Sequence, residues 1–169
     1  SGLAAPVSAV RYEGLIAVTE HGKSRVISLN KDGEVDSILA EDLPAPTGLK
    51  VRDGQLFVSD RSLGKILRIA QNGQRLSEPE IVAENLVSPE GFDFFDRKLV
   101  VIEADLGDVT MIDSSGDKSL LAKIPPGTQA ASELQPPSQV FNGVAVDDNG
   151  NVYVPGETNR ALYKISNPF

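Results

Sequence analysis

"PTGLKVRDGQLFVSD", Pro46 to Asp60, is a phrase this chain writes more than once. A proline, a glycine two residues on, an apolar alternating stretch, a polar turn and a second alternating stretch ending in an acid return as "PEGFDFFDRKLVVIE", Pro89 to Glu103. Looser copies are "PVSAVRYEGLIAVTE", Pro6 to Glu20, and "NGVAVDDNGNVYV", Asn142 to Val154. Pro6, Pro46 and Pro89 lie 40 and 43 residues apart. The fourth copy comes later, Gly91 and Gly143 being 52 residues apart, because "IPPGTQAASELQPPSQ" (Ile124 to Gln139) precedes it. Alternation interrupted by Asp, Asn and Gly is the signature of a hairpin, since those residues accept the positive φ of a tight turn.

Each copy continues with a third apolar stretch: "RVISL" from Arg25, "KILRI" from Lys65, "DVTMI" from Asp108 and "ALYKI" from Ala161. The turns "NKDG", "AQNG" and "DSSG" follow, and then the outer strands "DSILA", "EIVAE" and "SLLAK". Four short antiparallel strands per unit of about 40 to 45 residues make the blade of a β-propeller. A β-sandwich also has short strands at regular spacing, but it does not require one sequence to recur in register. The expected fold is therefore all-β, a β-propeller with blades at about 6–43, 44–86, 87–124 and 140–169 and a Pro-rich loop at 124–139. The fourth copy stops at "YKISNPF" without an outer strand. Three arrangements follow from that: a closed four-blade ring, an arc completed by self-association, or a piece of a longer propeller, the last being favoured.

Composition narrows the partners. With 24 acidic against 16 basic residues the net charge is −8, which repels a phosphate backbone, so nucleic acid is not an expected partner. Cysteine is absent, which removes disulfides, thiolate metal sites and cysteine nucleophiles together. Apolar runs stop far short of the roughly 20 residues that cross a bilayer as a helix, and no basic-then-apolar leader stands at Ser1. The compartment stays undetermined, with a periplasmic or secreted location preferred to the cytoplasm.

The repeat "PTGLKVRDGQLFVSD" resembles that of NHL-type propellers and of the wider group containing SMP-30/gluconolactonase, LRE-like and strictosidine synthase-like proteins. That resemblance implies a propeller, and for the gluconolactonase branch a divalent metal, calcium above all, held by Glu, Asn and Asp near the starts of inner strands. "FNGVAVDDNGNVYV" is similar to one of the group's recognisable pieces and nominates Asn142. "SPEGFDF" places Glu90 at the equivalent point one repeat earlier, while Thr47 and Val7 occupy it in the second and first copies. Glu90 and Asn142 are thus the metal candidates, and Thr47, Glu90 and Asn142 the ligand-binding candidates. Equivalent positions of successive blades lie around one axis, and a carboxylate, an amide oxygen and a hydroxyl suit a hard cation. The competing reading is that these side chains cap strand ends by bonding backbone.

Other motifs are weaker. "DDNGN" (Asp147 to Asn151) has oxygen ligands at alternate positions, but Val152 stands where a calcium loop needs glycine, so a hairpin turn is expected. "HGKS" (His21 to Ser24) lacks the first glycine of a phosphate loop and links strands, which leaves His21, the single histidine, as a surface turn residue. Glu20, Asp60 and Glu103 end the second strand of their copies, and their recurrence points to acceptors for turn N–H groups rather than paired catalytic acids. Two functions are consistent with this reading: a propeller binding a small molecule or protein at its channel mouth, or a metal-dependent hydrolase of a small ester or sugar lactone.

Overall fold

The computed structural model describes residues 2–124, 143–156 and 161–169. The structure is all-β, and its four sheets are the blades of a β-propeller. The first blade comprises β1 (Pro6–Tyr12), β2 (Leu15–Glu20), β3 (Arg25–Leu29) and β4 (Val35–Ala40). The second has β5 (Pro46–Arg52), β6 (Gln55–Asp60), β7 (Lys65–Gln71) and β8 (Gln74–Ala83). The third has β9 (Pro89–Phe95), β10 (Lys98–Glu103), β11 (Asp108–Ile112) and β12 (Lys118–Lys123). The fourth shows three strands among the described residues, β13 (Ala145–Val146), β14 (Val152–Gly156) and β15 (Ala161–Ile165). Strands pair in chain order within each blade. The chain divides into two compact units, Ser1–Pro89 and Glu90–Phe169.

Alternation in the inner strands delivers one apolar face to the neighbouring blade of the same unit. In the first unit Tyr12, Ala17 and Val26 of the first blade meet Leu49, Leu56 and Val58 of the second in one buried cluster. In the second unit Val100, Ile102 and Val109 meet Val144, Val152 and Val154. Each buried Val, Leu or Ile among them contributes about 1.5–3 kcal/mol, so within each unit the two blades hold together chiefly by these faces.

Two kinds of turn recur at the opposite pole from the β2–β3 type of connection. Two-residue turns join Tyr12 to Leu15, Arg52 to Gln55 and Gln71 to Gln74, and both central residues have positive φ: Glu13–Gly14 (48° and 81°), Asp53–Gly54 (50° and 70°) and Asn72–Gly73 (47° and 79°). That is the geometry whose twist matches paired strands. Five-residue loops at 30–34, 113–117 and 147–151 share a second design. In each, Asn30, Asp113 or Asp147 accepts two backbone N–H groups on its side-chain Oδ1, two and four residues ahead. The glycine at the fourth place donates to the first residue's carbonyl. The "DDNGN" loop is such a hairpin: Asp147 Oδ2 also accepts the Asn151 amide at 2.8 Å and the Tyr153 hydroxyl at 3.1 Å. Every Asp147 oxygen is occupied by a protein donor, which is the arrangement of a turn and not of a cation loop.

Donation from Asn151, side chain first and then backbone, holds the Asp147 carboxyl below its usual value. A depressed folded value contributes stability above the unfolded one and loses it as pH falls through the folded one. Asp147→Ala is therefore expected to lower the melting temperature at neutral pH, with the gap from the parent closing as pH drops below about 4. Calorimetry across pH 2–7 checks this, and a gap of constant size would contradict it.

The other end of the first three blades is closed by a third device. Ser24, Gly64 and Gly107, just ahead of the third strand, take the left-handed conformation with φ of 51°, 63° and 70°. Their carbonyls accept the N–H groups of Leu43, Leu86 and Ile124, which follow the fourth strand, at 3.0, 3.0 and 2.7 Å. The exit of each of the first three blades is thereby tied to the turn between its second and third strands.

Candidate functional site

Two of the acids ending the second strands, Asp60 and Glu20, accept backbone N–H groups. Asp60 accepts the N–H of Ala45 at 3.0 Å and of Leu63 at 2.9 Å. Glu20 accepts the N–H of Ala4 at 2.9 Å and pairs with Arg25 Nε at 2.5 Å. Burial raises the Glu20 carboxyl, but Ala4, Arg25 and Lys23 outweigh it and leave it below its usual range. Glu103 takes the Thr110 hydroxyl at 2.6 Å. His21 begins a three-residue 3-10 turn, His21–Lys23, between β2 and β3, and is exposed.

The cross-strand partners of these acids differ between blades. Glu20 faces Arg25 and Asp60 faces Lys65, whose Nζ lies 3.8 Å from Glu84. In the third blade Glu103 faces Asp108, and Asp108 faces Lys123. Acid and base have exchanged strands there. Lys123 Nζ sits 2.8 Å from Asp108 Oδ1, and the Thr110 hydroxyl donates to Glu103.

Thr47 belongs to the first unit, on β5, and is 6% exposed. Its hydroxyl lies 3.0 Å from Ser59 Oγ and 3.1 Å from the Pro89 carbonyl. Ser59 in turn takes the Gly48 N–H at 2.8 Å. The first blade repeats this: Ser8 N–H donates to Thr19 Oγ1 at 2.8 Å, and Thr19 Oγ1 donates to the Thr47 carbonyl at 3.1 Å. Both sites coincide with a register shift, between Pro6 and Ala9 and between Pro46 and Leu49. A shifted ladder leaves backbone groups unpaired, and the hydroxyls satisfy them.

Glu90 lies in the second unit, on β9, and only 2% of it is exposed. Asn142 lies outside the described residues, as does the Pro-rich stretch beyond Ile124. Sequence reasoning missed Asp93, three residues after Glu90. Its Oδ2 accepts the Val146 N–H at 3.0 Å, which fastens β9 to β13, and its Oδ1 accepts the Phe94 N–H at 2.8 Å. The signal available was an acid inside an apolar strand, where the other copies carry Lys50 and Val10. Among the described residues no group of three or more His, Cys, Asp or Glu is arranged to hold a metal ion. Calcium takes six to eight oxygens, so Glu90 by itself does not fit the requirement.

Comparison with known proteins places these observations. A beta-propeller repeat family (SBBP) matches residues 140–164. Sequence comparison with curated proteins gives no match. Among solved structures, the chain is similar to a gluconolactonase-like protein (TM-score 0.68, 15% identity, 96% of this chain and 59% of that one). It is similar as well to a luciferin-regenerating enzyme (0.68, 14%, 96% and 59%). A third is virginiamycin B lyase from Staphylococcus aureus (0.62, 16%, 95% and 52%). The chain thus spans between about half and three-fifths of the length of these propellers. At these identities the likeness is one of fold. The chain is a β-propeller protein, sharing its fold with the gluconolactonase-like and LRE propellers of the group that its repeats resemble, and with streptogramin B lyase.

Proposed function

We propose that this β-propeller binds a small molecule or a protein at the starts of its inner strands, with Glu90 as the principal recognition group. One observation carries the reading. A buried carboxylate costs several kcal/mol of desolvation that its contacts must offset, yet the strand does not need one, because Val7 and Thr47 fill the equivalent place in other blades. A residue that breaks the repeat at such a cost is a functional candidate, and an acceptor-only group selects ligands rich in donors, such as polyols and amines.

The test is amide NMR with a panel of sugars, sugar lactones and alkylamines. Shifts are expected to concentrate at residues 90–93 in the parent and to vanish in Glu90→Gln, whose melting temperature stays within a few degrees. Shifts centred elsewhere, or unchanged in Glu90→Gln, would end this proposal.

A second reading is metal-dependent hydrolysis of a small ester or lactone, favoured by the Asn142–Gly143 sequence and by the likeness to a gluconolactonase-like structure. Calcium, zinc and manganese are its probes. A metal bound by the native state alone at 100 times its Kd adds about 2.7 kcal/mol of stability. An unmoved melting temperature at millimolar metal would remove this reading and leave the first standing.

A further inference from the structure

The sequence contains Asn-Gly at 72–73, 142–143 and 149–150. Asn-Gly is the dipeptide most open to spontaneous deamidation, since glycine puts no side chain in the path of its own nitrogen. In that reaction the Gly nitrogen attacks the Asn Cγ, the new C–N bond closes a succinimide, and ammonia leaves. Water then opens either ring bond, giving Asp or isoaspartate.

At Asn72–Gly73 the first unit places three restraints on this chemistry. The nucleophile is engaged: Gly73 N–H donates to the Tyr12 hydroxyl at 2.9 Å. The backbone is held, Asn72 at φ 47° with its N–H donating to the Gly54 carbonyl at 2.7 Å. The side chain, though exposed, lies over a glycine that leaves room for it, Asn72 Oδ1 standing 2.3 Å from where a Cβ on Gly54 would be. Tyr12 also reaches the Gly54 carbonyl at 3.4 Å, so one phenol of the first blade bonds two turns of the second. Burial, and the nearby Glu13, raise the Tyr12 hydroxyl further above neutrality and keep it a neutral acceptor, although the Gly73 N–H pulls the other way.

We infer that Asn72 is a deamidation site kept latent by Tyr12, and that its conversion releases the Tyr12 contact between the first two blades. Isoaspartate inserts an extra backbone carbon into a two-residue turn that has no room for it. The new carboxylate arises beside Glu13, whose Cβ is 3.7 Å from the position a Cβ on Gly73 would take. Both changes push the β7–β8 turn off Tyr12.

Ageing at pH 8 with peptide mapping tests this, Asn149 serving as internal reference because its Gly150 N–H donates to the Asp147 carbonyl, away from Tyr12. Tyr12→Phe is expected to speed conversion at Asn72 about tenfold, the rate change one hydrogen bond is worth, with Asn149 unchanged. Parent protein is expected to convert Asn72 at least tenfold faster in urea than in native buffer. An Asn72 rate equal in native buffer and urea overturns the inference even if Tyr12→Phe does not fold. So does a folded Tyr12→Phe with the parent's rate.

Discussion

Gly64→Ala is expected to destabilise the protein by about 3 kcal/mol, while Gly33→Ala costs about 1 kcal/mol, although both glycines have positive φ. The backbone penalty is shared: φ is 63° at Gly64 and 79° at Gly33. What differs is the space. A Cβ on Gly33 meets nothing within 4 Å, whereas one on Gly64 stands 2.5 Å from the Leu86 carbonyl oxygen, a backbone atom that cannot rotate away. Relief requires moving Leu86, whose N–H donates to the Gly64 carbonyl at 3.0 Å, so the closing bond of the second blade is strained or lost. Denaturant unfolding of the two variants reads the difference. Equal losses would mean that φ alone sets the cost and that blade closure contributes nothing.

Arg25→Met should lose about 2 kcal/mol at neutral pH. Glu20 has no exposed side-chain surface, and Arg25, 20% exposed, is its ion partner at 2.5 Å. Stranding a buried carboxylate ordinarily costs about 3–5 kcal/mol, and the lower figure reflects Lys23 Nζ, which remains 3.7 Å away. Because the folded Glu20 carboxyl lies below its usual range, the stabilisation is complete above that range and disappears as pH falls through the folded value. Parent and variant should therefore converge in acid below about pH 4. A difference that persists undiminished into acid would assign the loss to the packing of the arginine stem.

Much of the fold was legible because the punctuation repeats. The stretches "QLFVSD", "RVISL", "DVTMI" and "ALYKI" are strands with the bounds read for them, each delimited by a turn residue or an acid that bonds backbone. The outer strand of the second blade was less legible. "EIVAE" suggested a start at Glu80, yet β8 begins at Gln74, directly after the Asn72–Gly73 turn, and passes through Pro79. Proline lacks a ladder donor, which argues against a strand, but on an outer edge no donor is missed, and the register shift between Arg68 and Ala70 takes up the excess length. At the candidate site the variable position could be read from the alignment of copies, and Thr47 and Glu90 do sit on the first strands of their blades. The acceptor of the Thr47 hydroxyl could not, because a carbonyl such as that of Pro89 has no letter in the sequence. Ser59 and Thr19 escaped notice for a related reason: they answer register shifts, which only pairing reveals.

A chain that repeats itself risks pairing a strand with the wrong copy of its neighbour, since each third strand offers much the same apolar face to every fourth strand. The exchanged charges of the third blade act against this. With β12 in the place of β8, Lys123 would meet Lys65, and with β8 in the place of β12, Glu84, the residue after β8, would meet Asp108. Like charges opposite one another cost a few tenths to about 1 kcal/mol per pair, and the correct partners gain a similar amount. The order of acid and base along the strands thus serves as an address, telling segments of like pattern apart while the chain is folding.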